Sequence, residues 1–429
     1  MTRRAWAGRV GRALVITVGL LMLMGLGGAP PAAAQPISIG NDTFSTTREA
    51  IFSGLASQIG QLPNPTGGGF TYQFDPALGV FSRTSESFGP VFANRAETTG
   101  RRKFTLNASF SHHTFDEVDG LDLRKGEIFP LVVQSLAIGG DTFFLFDLVQ
   151  LREEIRADVF TIGAVYGVTD RIDVGLVIPI LSVKVKERVR ERGFFFCDAT
   201  LTFCSDPFAT NQDFRSNSQE QTGLGDIVLR GKWNFLQVPQ LWGGRMGVAA
   251  QLDVKLPTGD DGDRKAFTDQ TFRFANIDVT QANITGQQFG LGEPPLGTGI
   301  ARVRPQIVAS GSWFGLAPHV NVGFELGKTT GITNDFVYEA GLDYTVFKRV
   351  TLSADLLGRH ALDVDRTRVR NLFDQDFGKK ANPDNMTLSF GLKANPIGTF
   401  LVFLNFLVPI DNTGIRDDVT PTFGVEWSF

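Results

Sequence analysis

The sequence predicts an all-β fold, namely a transmembrane antiparallel β-barrel of about 12 strands (12–14) preceded by an N-terminal plug-like segment. Three observations support this class. Apolar and polar side chains alternate with a period of two, short and long connections alternate along the chain, and the chain ends in mid-strand on Phe429. Terminal residues of soluble domains are usually frayed. We therefore expect the C-terminus to belong to a sheet.

The chain divides into three predicted parts: a signal peptide at 1–34, an N-terminal plug or periplasmic segment at 35–102 and a barrel at 103–429. Basic residues precede an apolar run and the small-residue stretch PPAAAQ, which predicts cleavage between Ala34 and Gln35. The apolar run is shorter than the ~20 residues of a membrane-spanning helix. The mature chain is therefore expected to leave the cytoplasm.

The net charge of the full chain and its cysteines indicate which partners and which compartment suit the protein. The formal net charge of −4 gives no electrostatic support for a nucleic-acid partner. The two cysteines, Cys197 and Cys204, are close together in the stretch CDATLTFC. In an exported protein this spacing favours a short loop disulfide, and two free thiols are the alternative.

Two-faced strands are the main local signal. In GDIVLRGKWNF, Ile227 and Leu229 lie on one face, and Arg230 and Lys232 on the other. Similar alternation recurs to the C-terminus. We expect strands near 103–113, 155–168, 171–186, 222–236, 243–257, 301–313, 316–328, 334–347, 349–361, 385–395, 398–410 and 419–429. Alternation alone would also fit a soluble sandwich.

Connection lengths favour the barrel over the sandwich. Short links follow every second strand, at Thr169-Asp170 and at the stretches LQVPQLW, FGL, FKR and NPIG. Most other links are long, and they include roughly 114–154, 187–221, 258–300 and 362–384. Short turns on one side and long loops on the other are typical of outer-membrane barrels, with the short side periplasmic.

Aromatic residues support the same orientation. The tryptophans of the mature chain are predicted at the short-turn ends of strands, where the membrane interface favours their rings; they are Trp233, Trp242, Trp313 and Trp427. Phe429 would end the closing strand at this interface, paired with the first strand. A C-terminal aromatic strand also resembles the signal that the bacterial barrel-assembly machinery recognises. The predicted location is the outer membrane of a double-membraned bacterium.

Charged residues of both signs are predicted to face the barrel interior. They are Arg230, Lys232, Arg245, Asp253, Lys255, Arg302, Arg304, Glu325, Glu339, Asp343, Asp355, Arg359, Lys393 and Glu426. Such charges must be hydrated or paired, so they fit either a wet pore or a network that braces the wall. Strand 398–410 is apolar on both faces apart from Asn405, and we expect a dry wall or contact with a plug. A phase change near Leu181–Val183 predicts a bulge or the point where that strand leaves the membrane.

The N-terminal segment is too long for a simple leader. Thr46 or Thr47 is a candidate helix cap, and an amphipathic stripe follows it at Ile51, Phe52, Leu55, Ala56 and Ile59. The stretch LPNPTGGGF then ends the helix. The many Phe residues of the N-terminal segment favour a plug in the lumen or its periplasmic mouth over a flexible tail.

Two stretches, TGLGDIVLRGKWNFL (222–236) and GVAAQLDVKLPTGD (247–260), resemble the paired signature of the outer-membrane family named for the meta-pathway of phenol degradation. The stretch 86–120 is similar to sequences that precede that signature. The resemblance implies passage of hydrophobic or aromatic compounds across the outer membrane. The family is compared with long-chain fatty-acid transporters, whose barrels carry an N-terminal plug. Because those have fourteen strands, their lateral exit is not assumed here.

Two predicted external loops carry candidate contact residues. Phe194, Phe195, Phe196 and Phe203 surround the predicted disulfide and are ligand-contact candidates, although a small loop core is an equal alternative. Asp260, Asp261 and Asp263 offer oxygen ligands for a hard cation such as calcium. They lack the spacing and terminal Glu of an EF-hand loop, which favours a solvated turn.

Enzyme chemistry is not predicted. His112 follows Ser111, but neighbouring strand residues point to opposite faces and cannot form a nucleophile–base pair. No Gly-rich phosphate loop or Cys/His zinc spacing is present, so we expect no cofactor.

Three functions remain open: passive uptake of small hydrophobic or aromatic solutes through a plugged barrel, open diffusion of polar solutes, and a structural or adhesive surface barrel. The plug-like segment and the family resemblance favour the first. A monomer in outer-membrane lipid is the expected state.

Overall fold

A computed structural model describes most of the chain. The described residues are 43–75, 80–83, 86–118, 120–128, 131–138, 141–198, 200, 208–209, 215–262, 291–329, 332–362, 369–370, 376–377 and 385–429. The predicted signal peptide lies outside them. No helix among the described residues combines the length and the apolar character needed to cross a bilayer.

The structure contains one described helix, α1 (Thr43–Gln61). The strands are β1 (Tyr72–Asp75), β2 (Val80–Arg83), β3 (Phe104–Val118), β4 (Leu121–Asp122), β5 (Leu131–Ile138), β6 (Asp141–Gly167), β7 (Ile172–Asp198), β8 (Phe208–Ala209), β9 (Arg215–Leu224), β10 (Val228–Leu241), β11 (Gly244–Lys255), β12 (Arg302–Ser312), β13 (Leu316–Glu325), β14 (Asp335–Phe347), β15 (Val350–Ala361), β16 (Val369–Arg370), β17 (Asp376–Phe377), β18 (Asn385–Ile397), β19 (Phe400–Pro409), β20 (Ile415–Asp417) and β21 (Thr420–Ser428).

Twelve of these strands pair in a closed antiparallel ring, which confirms the predicted fold class. The order around the ring is β3, β6, β7, β10, β11, β12, β13, β14, β15, β18, β19 and β21, and β21 returns to β3. Thr422 pairs with Ser111, and Ser428 with Thr105. The Phe429 N–H donates to the Phe104 carbonyl at 2.8 Å, which closes the seam at the C-terminus.

Tight turns join successive strands at one end of the barrel, as predicted, and we call it the tight-turn end. The turns are at 168–171, 242–243, 313–315, 348–349 and 398–399. The predicted turn at LQVPQLW is too long. Strand β10 continues to Leu241, and only Trp242 and Gly243 form the turn. Trp242 has a φ of 50° and Gly243 one of 80°, so this turn needs left-handed backbone, which glycine adopts easily. The opposite end is the long-loop end.

Two predicted long loops are wrong over much of their length. The first, 114–154, contains the end of β3, all of β5 and the start of β6, and the second, 187–221, contains the end of β7 and most of β9. Strands β6 and β7 pair from Phe143–Asp198 down to Gly167–Asp173. Sequence reasoning assigned their charged residues to loops because it expected strands only where lipid covers them.

The predicted phase change in β7 is not a bulge. Asp173, Val177, Leu181 and Val185 are all buried on the same side of the strand, and the pairing with β6 is continuous around these residues. The inner face changes from polar to apolar, while Ser182 on the outer face takes part in polar contacts with β9. This change fits the predicted alternative, a strand that continues beyond the membrane.

Candidate functional site

The N-terminal segment (residues 43–102) contacts the inner wall of the barrel. Its backbone donates to side chains on separate strands: Phe88 N to Thr351 Oγ1 at 3.0 Å, Ala96 N to Ser310 Oγ at 2.9 Å, Thr99 N to Asp173 Oδ2 at 2.9 Å and Gly68 N to Glu426 Oε1 at 2.9 Å. In the other direction, Lys232 Nζ donates to the Glu97 carbonyl at 2.7 Å. Because these partners lie on five different barrel strands, the segment is held across the width of the lumen.

Apolar contacts join the same segment to β19. Leu401 packs with Phe70 and Phe88, and Phe403 and Leu407 pack with Val91 and Phe92. These contacts explain why β19 is apolar on both faces: one face is exposed on the outer surface and the other meets the segment. The sequence predicted either a dry wall or contact with a plug, and the structure shows β19 in contact with the N-terminal segment.

Helix α1 lies at the long-loop end of the lumen. Ile51, Phe52, Leu55 and Ile59 are buried against inward-facing residues of the extended strands. Those wall residues include Phe115, Leu151, Ile155, Leu181, Val183 and Ile415. The predicted stripe therefore faces the barrel wall. The helix begins at Thr43, three residues before the first candidate cap, Thr46.

An arginine braces the segment internally. Arg95 is buried and donates from Nη1 to the Ser87 carbonyl at 3.1 Å and from Nη2 to the Gly68 carbonyl at 2.6 Å. Arg83 lies over the Phe70 and Phe88 rings, 5.0 and 4.5 Å from their centroids. Burial, together with the positive charge of Arg95, lowers the pKa of Arg83 to about 10, so the guanidinium is still charged at neutral pH and can make these cation–π contacts.

A charged cluster (Lys255, Arg302, Arg304, Glu325, Asp335, Arg359) lies in the wall toward the long-loop end. The carboxylate oxygens of Glu325 form ion pairs with four cationic groups: Arg304 Nη2 at 2.6 Å, Arg359 Nη1 at 2.8 Å, Arg302 Nη1 at 3.2 Å and Lys255 Nζ at 3.3 Å. Asp335 Oδ2 also pairs with two of these arginines, Arg302 Nη2 at 2.9 Å and Arg359 Nη1 at 2.8 Å. Buried charges need such partners, and this part of the wall is a network of pairs.

A cavity of about 120 Å³ lies between part of the segment and this wall. Its apolar lining includes Leu62 and Phe92 from the segment and Val337, Leu357 and Leu407 from the wall. Six Lys and Arg side chains line it against four Asp and Glu side chains, all on the barrel strands or on β20. The cavity therefore offers an apolar surface on both sides and a surplus of positive charge on one.

The structure places thirteen of the fourteen predicted lumen residues in the inner wall, buried or half-buried; Arg245, near the turn between β10 and β11, is exposed. Other inner pairs include Arg230 with Asp253 at 2.8 Å and Lys393 with Glu426 at 3.6 Å. The first of these pairs joins neighbouring strands, and the second reaches across β19.

Three of the four predicted interface tryptophans lie at tight turns. Trp242 and Trp313 are in or beside turns, and Trp427 pairs with Phe400, next to the turn at 398–399. Trp233 differs, because it lies in the middle of β10, although it pairs with Ile172 beside the neighbouring turn. Trp233, Trp242, Trp427 and Phe429 are all about half exposed or more on the outer surface.

The predicted loop candidates are only partly described. Cys197 is buried and disulfide-bonded, and Cys204, the other cysteine of the chain, lies outside the described residues, as does Phe203. The backbone of Phe194–Phe196 belongs to β7 and pairs with β6, so these residues are not in a loop, and their side chains lie outside the description. Asp263 also lies outside it, and Asp260 Oδ1 accepts from Gly262 N at 2.7 Å, as in a local turn.

Sequence reasoning missed one hydrogen-bonded group next to the cavity. Ser111 and His112 do face apart, but Ser111 Oγ lies 3.1 Å from His113 Nε2 on the same face. His113 Nδ1 lies 3.1 Å from Thr420 Oγ1 and 3.4 Å from Asp417 Oδ2. His113, Asp417 and Thr420 line the cavity and Ser111 does not, and the group joins β3 to β20 and β21 at the closing seam.

No protein-family model matches the sequence, and no curated protein sequence matches it. Among solved structures, an outer membrane channel from Pseudomonas putida F1 is similar, with 12% identity, a TM-score of 0.41, and 79% of this chain and 100% of that chain covered. A Pseudomonas aeruginosa FadL homologue has 10% identity and a TM-score of 0.32, with 76% and 89% covered. The CymD monoaromatic hydrocarbon channel has 8% identity and a TM-score of 0.31, with 77% and 89% covered. The resemblance to the meta-pathway family stays a prediction.

Proposed function

We propose that this chain is a passive outer-membrane channel for small hydrophobic or aromatic compounds, and that its N-terminal segment is a plug that must shift before a solute passes. The observation that carries the proposal is the set of contacts between the segment and five strands of the inner wall. A segment bound in this way would hinder the free diffusion of polar solutes through the lumen.

The cavity supports a small aromatic solute. An engineered apolar cavity of about 150 Å³ binds benzene, and this one has about 120 Å³. A ring would lie against Phe92, Leu357 and Leu407, while a polar substituent would meet Arg304 or Arg359. The resemblance to the meta-pathway family points to the same class of solute.

The outer surface supports a place in lipid. Outward-facing residues of the ring strands are large, apolar and exposed, among them Leu252, Ile307, Val322 and Phe406. An exposed apolar band is normal for a barrel in a membrane and rare on a soluble monomer. We propose that the chain is assembled into the outer membrane through its C-terminal strand and works as a monomer.

A cross-link between segment and wall tests the proposal. A Cβ built on Gly247 would lie 3.3 Å from the Ala96 Cβ, close to the range that a disulfide requires. We expect oxidised Ala96→Cys/Gly247→Cys protein to lose most of its uptake of a hydrophobic fluorescent probe, 1-N-phenylnaphthylamine, in intact Gram-negative cells. A membrane-permeant reductant should restore uptake, because the segment is then free to move.

The two single-cysteine variants and the wild-type chain, each with and without reductant, are the controls, since the reductant also acts on the native disulfide. Equal uptake by the oxidised and reduced double variant would show that movement of the segment is not needed and would contradict the plug. Uptake equal to that of cells without the protein would favour a structural or adhesive barrel.

Planar-bilayer conductance of the refolded mature protein separates the remaining alternative. A plugged barrel should be electrically silent after insertion has been verified. Stable, large open-channel steps would favour an open diffusion porin for polar solutes.

A further inference from the structure

Three side chains on adjacent strands form a compact buried group in the wall. They are His319 of β13, Asp343 of β14 and Asp355 of β15, and all three are fully buried. One nitrogen or oxygen atom from each lies within 4.8 Å of those from the other two. The strand register brings them together, because Gly341 pairs with both His319 and Asp355.

The hydrogen bonds of this group are incomplete. His319 Nε2 lies 2.7 Å from Asp355 Oδ1, and His319 Nδ1 lies 3.3 Å from the Ala317 carbonyl. Both carboxylate oxygens of Asp343 are buried without a hydrogen-bond partner among the described residues, and the nearest cation partner is His319 Nδ1 at 3.8 Å. Burying a carboxylate without donors is costly, so Asp343 indicates a partner that the described residues do not supply.

Gly341 keeps the space between the ligands open. A Cβ built on Gly341 would lie 2.6 Å from His319 Nε2 and closer still to Asp355 Oδ1. Any other residue at this position would push its own side chain against both groups. The inward face of β14 is therefore bare where His319 and Asp355 approach each other.

We propose that His319, Asp343 and Asp355 bind a divalent transition-metal ion, with Zn²⁺ as the representative. One imidazole nitrogen and two carboxylate oxygens are a ligand set that Zn²⁺ and similar ions accept, with water in a further position. Ca²⁺ takes six to eight oxygen ligands, and Mg²⁺ keeps several waters. The fully buried group, with its imidazole, suits neither of these ions.

The second contact of the imidazole supports this assignment. Metal-binding histidines usually donate their other ring N–H to a carbonyl or carboxylate. Here Nδ1 can donate to the Ala317 carbonyl, which leaves Nε2 for the metal. The ion would take the place of the proton that the 2.7 Å contact between Nε2 and Asp355 requires, and its charge would supply the partner that Asp343 lacks. Bound there, it would join β13, β14 and β15.

Zinc content of the refolded mature protein tests the site. The protein is refolded with and without Zn²⁺, dialysed against chelator-treated buffer and analysed by elemental mass spectrometry. We expect one equivalent in the wild type and little in Asp343→Asn or His319→Gln. The loss of affinity should exceed the ~10–100-fold cost of removing an outer-shell partner. Zn²⁺ should also raise the melting temperature of the wild type but not of the variants.

His113→Gln is the matched control, because His113 is also buried beside an aspartate, Asp417, at 3.4 Å. This variant should keep the bound zinc. Heat-dependent gel mobility shows which variants fold. Where a ligand variant does not fold, the X-ray absorption edge of zinc in the wild type decides, since nitrogen and oxygen ligands without sulfur are expected. A zinc-free wild type, zinc retained by both ligand variants, or sulfur ligation would overturn the proposal.

Discussion

Glu325 has four cations within 3.3 Å and a side chain that is only 2% exposed. Asp335 also contacts Arg302 and Arg359 but does not contact Arg304 or Lys255 in the described pairs. Removing the charge of Glu325 would therefore leave Lys255 and the partly exposed Arg304 without a carboxylate in salt-bridge range among the described pairs. The negative charge of Glu325 therefore determines whether the cluster stabilises or destabilises the folded barrel.

We expect Glu325→Gln to destabilise the barrel by about 3–5 kcal/mol, the cost of breaking a buried ion pair from one side. Urea unfolding in lipid vesicles, followed by tryptophan fluorescence, measures it. The control is Glu220→Gln, which removes an exposed partner of Lys184 at 2.6 Å; exposed pairs contribute little. Equal effects of the two variants would contradict the buried network.

Sequence reasoning assigned every residue of this cluster except Asp335 to the inner face, but it did not predict which residues form pairs. Alternation assigned Arg302, Glu325 and Arg359 to the inner face, since the outer face of each strand is apolar. Which cation meets which carboxylate depends on the register of β12, β13 and β15. The partners of His319 also depend on strand register. The sequence did not indicate them, because Asp343 and Asp355 lie 24 and 36 residues away in the chain.

At the scale of single elements, α1 owes its place to one apolar face. Leu55 is fully buried in the cluster that joins the helix to the extended strands, whereas Ser53 on the same helix is partly exposed. Most of the stability of a helix in a protein comes from the packing of its apolar face. The helix therefore depends on its contacts with the barrel, while the barrel has its own closed ring of pairs.

We expect Leu55→Asp to release α1 while the barrel stays folded. A buried carboxylate cannot be hydrated in that apolar cluster, so the helix should become sensitive to a broad-specificity protease within the first minutes of digestion. Mass spectrometry of the fragments and heat-dependent gel mobility separate the two parts. Ser53→Asp adds the same charge on a partly exposed position and should leave α1 protected. Loss of the barrel in Leu55→Asp alone would show instead that α1 is needed for folding.

At the scale of the whole molecule, most exposed large side chains of the ring strands are apolar, and most of its buried charged side chains face the lumen, the reverse of a soluble protein. This inversion is expected when lipid is the outer solvent and backbone groups must all be paired. Leu252 is 46% exposed in β11, between Gly231 and Pro305 of the neighbouring strands, and Phe347 is 68% exposed beside a tight turn. The two positions therefore sample different depths of the same outer surface.

We expect Leu252→Arg to cost about 2–4 kcal/mol in lipid vesicles, and Phe347→Arg about 0–1 kcal/mol, because the cost of a lipid-facing charge depends on its depth. Reversible urea unfolding in vesicles measures both. In detergent micelles, which let water approach more closely, the difference should shrink. A larger cost at Phe347 than at Leu252 would mean that the membrane surrounds another part of the barrel.

The sequence by itself determined the class, the twelve barrel strands and the end at which the tight turns lie. These features depend on local alternation and on turn residues, which act over a few positions along the chain. The sequence analysis did not predict the extended parts of β6 and β7, because strand residues with a polar outer face have a composition similar to that of a loop.

Only the tertiary structure decided what the lumen contains. The hydrogen bonds from Phe88, Ala96 and Thr99 to the wall, the four cations around Glu325 and the group at His319, Asp343 and Asp355 join residues far apart in the chain. Strand register and the path of the N-terminal segment bring them together. Neither is encoded in a short stretch, since both depend on the free energy of the whole closed barrel.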